Sequence, residues 1–135
     1  YVNIDQFDAF KAEYGEHRTN ELVTTVAEAL QSICNRTDDL CFRLKDHRFA
    51  CILSSSDIKD IESTAEEVRT YVESLSIDHP SNTPEPIVTI SLGYSVVNWL
   101  AKWDQQKICQ MTKQALIKAT FQGGNQICII KQSEE

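Results

Sequence analysis

Four residues that are charged or can titrate stand side by side at Lys45, Asp46, His47 and Arg48. Residues 40–44 before them and 49–53 after them are apolar and rich in β-formers, so the segment is predicted to be a β-hairpin with these four side chains at its turn. An exposed turn of this kind can hold a metal ion or a polar ligand. Most soluble hairpins also place polar residues there, so the turn alone does not identify a function.

The length and the charge of the chain narrow the classes of function. Its 135 residues are enough for one domain with one substantial core. A net charge of −7 argues against binding to nucleic acid or to an anionic membrane surface, although it allows a small basic pocket for a phosphate-bearing ligand. No apolar stretch approaches the length of a membrane helix, and we expect a cytoplasmic location, or the cytoplasmic part of a membrane-anchored protein.

The cysteines are five, an odd number, and none forms a C-x-x-C pair. Most of them lie within apolar stretches, which predicts reduced core residues rather than disulfide or zinc partners. His17 and His79 lie in polar stretches, and we assign a function to neither. No metal ion or cofactor is predicted from these residues.

The elements that must position the turn follow from hydrophobic spacing and from capping residues. The predicted order begins with a strand ending at Ile4, a helix over 8–14 stopped by Gly15, a helix capped by Asn20 and running to Cys34, and the hairpin. A helix capped by Ser55, Ser56 or Asp57 and running to Ser74 follows, and after it a loop over 78–86 and a strand over 87–97. The last two elements are a helix capped by Asp104 and running to Thr120 and a strand over 126–131. This order predicts an α+β fold, with helices packed on the faces of a mixed sheet.

Taken in this order, the sequence resembles the GGDEF family, the diguanylate cyclases that make cyclic di-GMP from two GTP. The fragments that carry the resemblance are NIDQF at 3–7 with YG at 14–15, RLKDHRF at 43–49, VTISLG at 88–93, ALIKA at 115–119 and GGN at 123–125. They match the family's D-x-D-x-F, R-x-G-G-D-E-F, V-T-x-S-x-G and A-L-Y-x-A-K-x-x-G-R-N patterns in order and spacing. The resemblance implies a palm-like, mostly antiparallel five-stranded sheet. It covers residues 1–135 as a single domain that lacks the family's first helix, and we expect a module of a longer protein.

The resemblance also implies that the catalytic residues have been replaced. Cyclisation needs Mg²⁺, and the family's metal-binding carboxylates fall on Asn3 and His47, which are poor ligands for a hard cation. The family's two turn glycines fall on Lys45 and Asp46, whose side chains would fill space that GTP needs.

The family's other substrate contacts are replaced as well. Its base-recognising residues fall on Lys11 and Asn20, and its phosphate-binding residues fall on Thr120 and Gly124. The resemblance therefore implies a degenerate domain without catalytic residues or diguanylate cyclase activity.

A second family site, the R-x-x-D motif at which product binds, is retained at Arg36 and Asp39. A guanidinium can stack on guanine or pair with its O6 and N7, and a carboxylate can accept from its N1–H and N2 amino group. An arginine just after a helix and aspartates in a turn are also common for structural reasons alone, without any ligand. The supporting arginine of the family's third helix aligns best with Glu67, with Arg69 close by.

Two functions of different classes remain open from the sequence. In one, the domain is a cyclic di-GMP receptor that has kept the product site and lost the reaction. In the other, it binds no nucleotide and acts as an interaction or dimerisation module for another protomer or domain, such as an EAL-type phosphodiesterase. GTP sensing without turnover is the third and weakest possibility, because Lys45 and Asp46 crowd the cleft.

Overall fold

The computed structural model describes residues 1–45, 47–54, 57–97, 102 and 104–130. Its elements in chain order are β1 (Val2–Ile4), α1 (Phe7–Ile33), β2 (Leu40–Lys45), β3 (Arg48–Ile52), α2 (Ile58–Ser74), β4 (Ile90–Tyr94), α3 (Gln105–Phe121) and β5 (Ile127–Ile129). Among the helices of these ranges, none combines the length and apolar character that crossing a bilayer requires.

The strands form one five-stranded sheet in the order β2-β3-β1-β4-β5. All neighbours are antiparallel except β4 and β5, which run parallel. The predicted α+β fold with a mostly antiparallel five-stranded sheet is therefore confirmed. β1 lies at the centre and carries Asn3 opposite both Arg48 of β3 and Ser91 of β4.

The two helices predicted over 8–14 and up to Cys34 are one element, α1, with a break at Gly15. Gly15 has φ 80° and ψ 177°, so the predicted interruption is at the right residue. The predicted cap at Asn20 is wrong, because Asn20 lies inside α1 and its carbonyl accepts a hydrogen bond from the Thr24 hydroxyl (3.0 Å). Helical spacing alone could not show how soon the helix resumes after the glycine.

Helices cover both faces of the sheet. One face presents Val2 and Leu92, which are buried with apolar residues of α1 and α2 in the main core. Strand side chains alternate, so Gly93 points to the opposite face, where α3 packs. A Cβ at Gly93 would lie 2.1 Å from the Leu116 nitrogen, so the close approach of α3 to the sheet requires glycine there.

Several element ends differ from the sequence prediction. β4 and β5 are shorter than predicted, and Ile87 instead forms an isolated bridge with Asp78. The predicted caps Asp57 and Asp104 accept hydrogen bonds from the first turns of α2 and α3. Ser55 and Ser56, the other candidate caps, lie outside the described residues, as does residue 131.

Two polar side chains of the loop over 78–86, His79 and Asn82, are buried. His79 is fully buried, and its Nε2 lies 3.2 Å from the Asp5 carbonyl and 3.0 Å from the Gln6 carbonyl. Both partners are acceptors, so Nε2 carries the proton and donates. No function is predicted for His79 from the sequence, but the residue fastens the loop to the end of β1.

The cysteines are all free thiols, but they do not all lie in the core. Cys34 is buried, whereas Cys41, Cys51 and Cys128 are half-buried. Cys109 is exposed on α3, so the prediction of a core position is wrong for this residue.

Candidate functional site

The sheet brings together Asn3 and His47, the two positions that the sequence analysis assigned to lost metal ligands. β1 and β3 are paired so that Asn3 lies opposite Arg48, the residue after His47. The backbone N–H of Ile4 donates to the His47 carbonyl (3.2 Å). The two positions therefore meet at one edge of β1, as a shared site would require.

The donor groups at this place do not fit Mg²⁺. The Asn3 Oδ1 is buried and has no hydrogen-bond partner among the described residues. The His47 ring stacks on Phe7, with centroids 4.7 Å apart and planes inclined by 19°. A neutral amide oxygen and an imidazole packed on an aromatic ring do not replace the anionic oxygens that Mg²⁺ prefers.

The turn carries Lys45 and Asp46 at the two positions that the sequence analysis aligned with the family's glycines. Lys45 is exposed at the end of β2, and its carbonyl accepts a hydrogen bond from the Arg43 Nε (3.2 Å). Asp46 lies outside the described residues. Arg43 thus braces the hairpin turn from within the same strand.

Lys11 and Asn20, which the sequence analysis aligned with the family's base contacts, are not in the described lining of the cavity beside Thr120 and Gly124. Lys11 and Asn20 are exposed on either side of the break at Gly15. Thr120 and Gly124 border a cavity of about 390 Å³, whose described lining includes neither lysine nor arginine. A cavity of that size could receive phosphates, but nothing in its described lining would neutralise their charge.

Asp5, two residues after Asn3, is the centre of a buried hydrogen-bond network that the sequence analysis did not assign. Its carboxylate accepts from the hydroxyl of Thr89 (2.7 Å), the hydroxyl of Ser91 (2.6 Å) and the backbone N–H of Asn125 (2.8 Å). The side-chain amide of Asn82 donates to Thr89 (2.9 Å), which extends the network into the loop over 78–86. Asp5 therefore ties β1, β4 and the segment before β5 together.

The network continues through Asn125 to α2. The Asn125 side chain accepts from Arg69 (2.9 Å) and donates to Glu73. Arg69 also donates to Glu66 and Glu73, and its hydrogen bonds with Glu66 lower the pKa of that carboxyl. Arg69 is therefore committed to Glu66, Glu73 and Asn125.

The R-x-x-D motif forms a closed turn between α1 and β2. The backbone N–H of Arg36 donates to Asp39 Oδ2 (3.1 Å), and the backbone N–H of Asp39 donates to the Arg36 carbonyl (2.9 Å). The other Asp39 oxygen accepts from the backbone N–H of Ser54 (3.2 Å), just after β3. Asp39 thus has a structural role, and each of its oxygens retains a lone pair for a further donor.

The Arg36 side chain remains half-exposed beside α2. Its Nη2 lies 3.9 Å from Asp60 Oδ2, and both side chains keep more than half of their accessible surface. Such surface pairs contribute little, so the guanidinium can turn toward a ligand at small cost. The gap between Arg36, Asp39 and α2 has a volume of only about 20 Å³, which is room for about one water molecule and not for a guanine.

A sequence profile of the family described as "Diguanylate cyclase, GGDEF domain" matches residues 1–126. The probable diguanylate cyclase DgcT of Escherichia coli K12 is 29% identical over 129 residues, which is 95% of this chain and 28% of that protein. A diguanylate cyclase of Vibrio cholerae is 25% identical over 134 residues, which is 99% of this chain and 40% of that protein. The chain therefore spans well under half the length of these two relatives.

Solved structures show the same fold. The GGDEF domain of DgcB from Caulobacter crescentus, in complex with c-di-GMP, matches with a TM-score of 0.81 at 19% identity, over 95% of this chain and 74% of that one. The active GGEEF domain of a diguanylate cyclase from Vibrio cholerae matches with a TM-score of 0.79 at 24% identity, over 98% and 81%. Identities this low support the fold alone.

Proposed function

The chain belongs to the GGDEF family of cyclic di-GMP signalling, and from this membership we propose that it is a regulatory domain that does not cyclise GTP. The observation that carries the proposal is the pair Asn3 and His47. The fold brings the two positions together, yet they offer an unpartnered amide oxygen and an imidazole stacked on Phe7. We further propose that the domain is a module of a longer protein; its cytoplasmic location stays a prediction.

Losses at three separate places support the proposed inactivity. The metal position lacks carboxylates, the turn carries Lys45 in place of glycine, and the described lining of the cavity beside Gly124 holds no basic residue. Removing one preorganised electrostatic contact commonly costs about 10²-fold or more in rate. Even partly additive losses at three places leave no measurable turnover.

The test is incubation of the purified chain with GTP and Mg²⁺ or Mn²⁺, with an active diguanylate cyclase as the positive control. We expect no cyclic di-GMP above a sample without protein. The double variant Lys45→Gly/Asp46→Gly should also be inactive, because Asn3 still cannot hold the metal. Product formed by the unmodified chain would overturn the proposal.

The same structural features predict that GTP itself binds weakly. A ligand present at about 100 times its Kd stabilises a protein by about 2.7 kcal/mol, which a thermal melt detects readily. We expect no such rise in the melting temperature with millimolar GTP and Mg²⁺. A clear rise would favour GTP sensing without turnover.

For the ligand of the domain, we propose cyclic di-GMP at Arg36 and Asp39. The turn is preformed by backbone hydrogen bonds, and the guanidinium is half-exposed. The 20 Å³ gap cannot enclose a guanine, so a second surface must cover the base: a second protomer or a second, intercalated ligand. Binding should therefore strengthen with protein association and weaken with salt as phosphate contacts are screened.

Calorimetry with cyclic di-GMP tests this ligand proposal. Arg36→Ala and Asp39→Asn should each weaken binding by about 1–3 kcal/mol, because each leaves a ligand group unpaired. Asp39→Asn retains an oxygen for one of the two backbone donors, and Asp38→Ala is the matched control, since Asp38 is an exposed carboxylate in the same turn. No heat at tens of micromolar ligand, or equal binding by all variants, would show that the motif is a relic.

A second candidate function is protein interaction without nucleotide, and one observation favours it. The β2–β3 hairpin at the edge of the sheet exposes apolar side chains; Leu40 and Ile52 lie opposite each other and are 60% and 57% exposed. Phe42, 46% exposed, extends this apolar surface along β2. If calorimetry shows no ligand, loss of self-association in Phe42→Ser would support the interaction function.

A further inference from the structure

Three cysteines from three separate elements meet at one end of the sheet. Cys34 ends α1, Cys41 lies in β2 and Cys51 lies in β3. Their sulfur atoms all lie within 4.8 Å of one another, with Cys34 buried and the other two half-buried. From the sequence, the cysteines are predicted to be reduced core residues, not disulfide or zinc partners.

The register of the hairpin creates this cluster. Near the turn, Lys45 pairs with Arg48, but beyond the irregularity between Arg43 and Lys45 the pairing shifts by one residue. Cys41 then lies directly opposite Cys51, on the face that packs toward α1. Without the shift, Cys41 would point to the other face of the sheet, because side chains alternate.

The spacing suits coordination to one ion. Zinc–sulfur bonds of about 2.3 Å place two thiolates of a tetrahedral site about 3.8 Å apart. The three sulfurs therefore need to approach by about 1 Å or less, which side-chain rotation can supply. Without a metal ion, the three neutral thiols would hydrogen-bond to one another, and two of them would have poor acceptors because sulfur is a weak hydrogen-bonding group.

We propose that Cys34, Cys41 and Cys51 form a binding site for a thiophilic divalent cation of the Zn²⁺ or Cd²⁺ class. Each sulfur binds as a thiolate and releases its proton to solvent, and the fourth coordination position stays open to water. Soft sulfur ligands exclude Mg²⁺ and Ca²⁺, so this site is distinct from the metal position at Asn3 and His47.

The cluster also lies beside the R-x-x-D turn. Arg36 and Asp39 occupy the short connection between Cys34 and Cys41, so an ion would also hold the R-x-x-D turn at both ends.

Metal titration of the full chain, purified without metal and under a thiol-free reductant, tests the site. With Cd²⁺ as the probe, we expect one tight equivalent with thiolate-to-metal charge-transfer absorption in the ultraviolet, and a raised melting temperature. Cys51→Ser should lower the affinity at least roughly tenfold, because loss of even an outer partner of a metal ligand costs about 10–100-fold.

The controls separate metal binding from folding. Cys51→Val also removes the thiolate but keeps a β-former in the strand, so it should fold like the parent chain and bind as weakly as Cys51→Ser. Cys109→Ser and Cys128→Ser remove thiols outside the cluster and should bind like the parent chain. Equal binding by the parent and both Cys51 variants would overturn the proposal, as would loss of two of the five thiols to a disulfide under the titration conditions.

Discussion

Asn3 and Asp5 stand two residues apart at the end of the central strand, yet their surroundings differ completely. Asp5 is buried and receives three hydrogen bonds from separate parts of the chain. The Asn3 Oδ1 is also buried but has no partner among the described residues. Both belong to the stretch that resembles the family's D-x-D pattern, so the two acidic positions of that pattern are not equivalent in this protein.

This difference separates a side chain that stabilises the fold from a side chain that the fold does not need. The carboxylate of Asp5 holds β1, β4 and the approach to β5, so its loss would damage the architecture. The side chain at position 3 forms no described tertiary hydrogen bond through its oxygen, so a change there leaves the sheet intact. The carboxylate at position 5 is therefore required by the sheet, whereas the side chain at position 3 is not.

The largest expected effect follows substitution of Asp5. Asp5→Ala leaves the hydroxyls of Thr89 and Ser91 and the Asn125 N–H without their acceptor in buried surroundings. We expect the free energy of unfolding to fall by about 3–5 kcal/mol, measured by urea denaturation. Asp5→Asn, which keeps one acceptor oxygen, should lose less. If Asp5→Ala lowered the free energy of unfolding by less than about 1 kcal/mol, the contrast between Asp5 and Asn3 would be wrong.

Gly124 should give an intermediate effect, because it lies against the same carboxylate. Its φ is +71°, and an added Cβ would come within 2.9 Å of the Asp5 Oδ2. Gly124→Ala should therefore lower the free energy of unfolding by about 1–2 kcal/mol, through the left-handed backbone and the contact together. Gly123→Ala is the control for backbone conformation alone, since it also has positive φ but meets no atom within 4 Å. Equal effects would show that the contact with Asp5 contributes nothing.

The smallest effect should follow substitution of Asn3. Asn3→Ala removes a buried oxygen that has no described partner, so we expect a change in unfolding free energy within about 0.5 kcal/mol, measured by the same urea series. We expect this substitution to leave the free energy of unfolding unchanged or to raise it slightly. A loss as large as that of Asp5→Ala would mean that Asn3 has a structural role and that the contrast within the strand is wrong.

Local patterns in the sequence were sufficient for much of the fold. The hairpin, the caps Asp57 and Asp104, the break at Gly15 and the mostly antiparallel sheet were all predicted from spacing, residue type and the family fragments. The cap at Asn20 was wrong, and the burial of His79 was missed. Both errors concern residues whose partners are set by how the chain folds back on itself rather than by their neighbours in sequence.

The sequence by itself determined which residue types stand at the positions aligned with the family's, and hence the prediction that Asn3 and His47 do not replace two carboxylates. Only the tertiary structure decided what other residues do: that Asp5 accepts hydrogen bonds from donors up to 120 residues away, that Arg69 is committed to Asn125, and that three cysteines converge. For Asp5 and Arg69 the physical reason is that their partners are distant in sequence, and for the cysteines it is that a one-residue shift of register beside the hairpin turn moves a side chain from one face of a sheet to the other. Residue spacing does not reveal such a shift, because the bulge changes the pairing without changing the pattern of apolar residues.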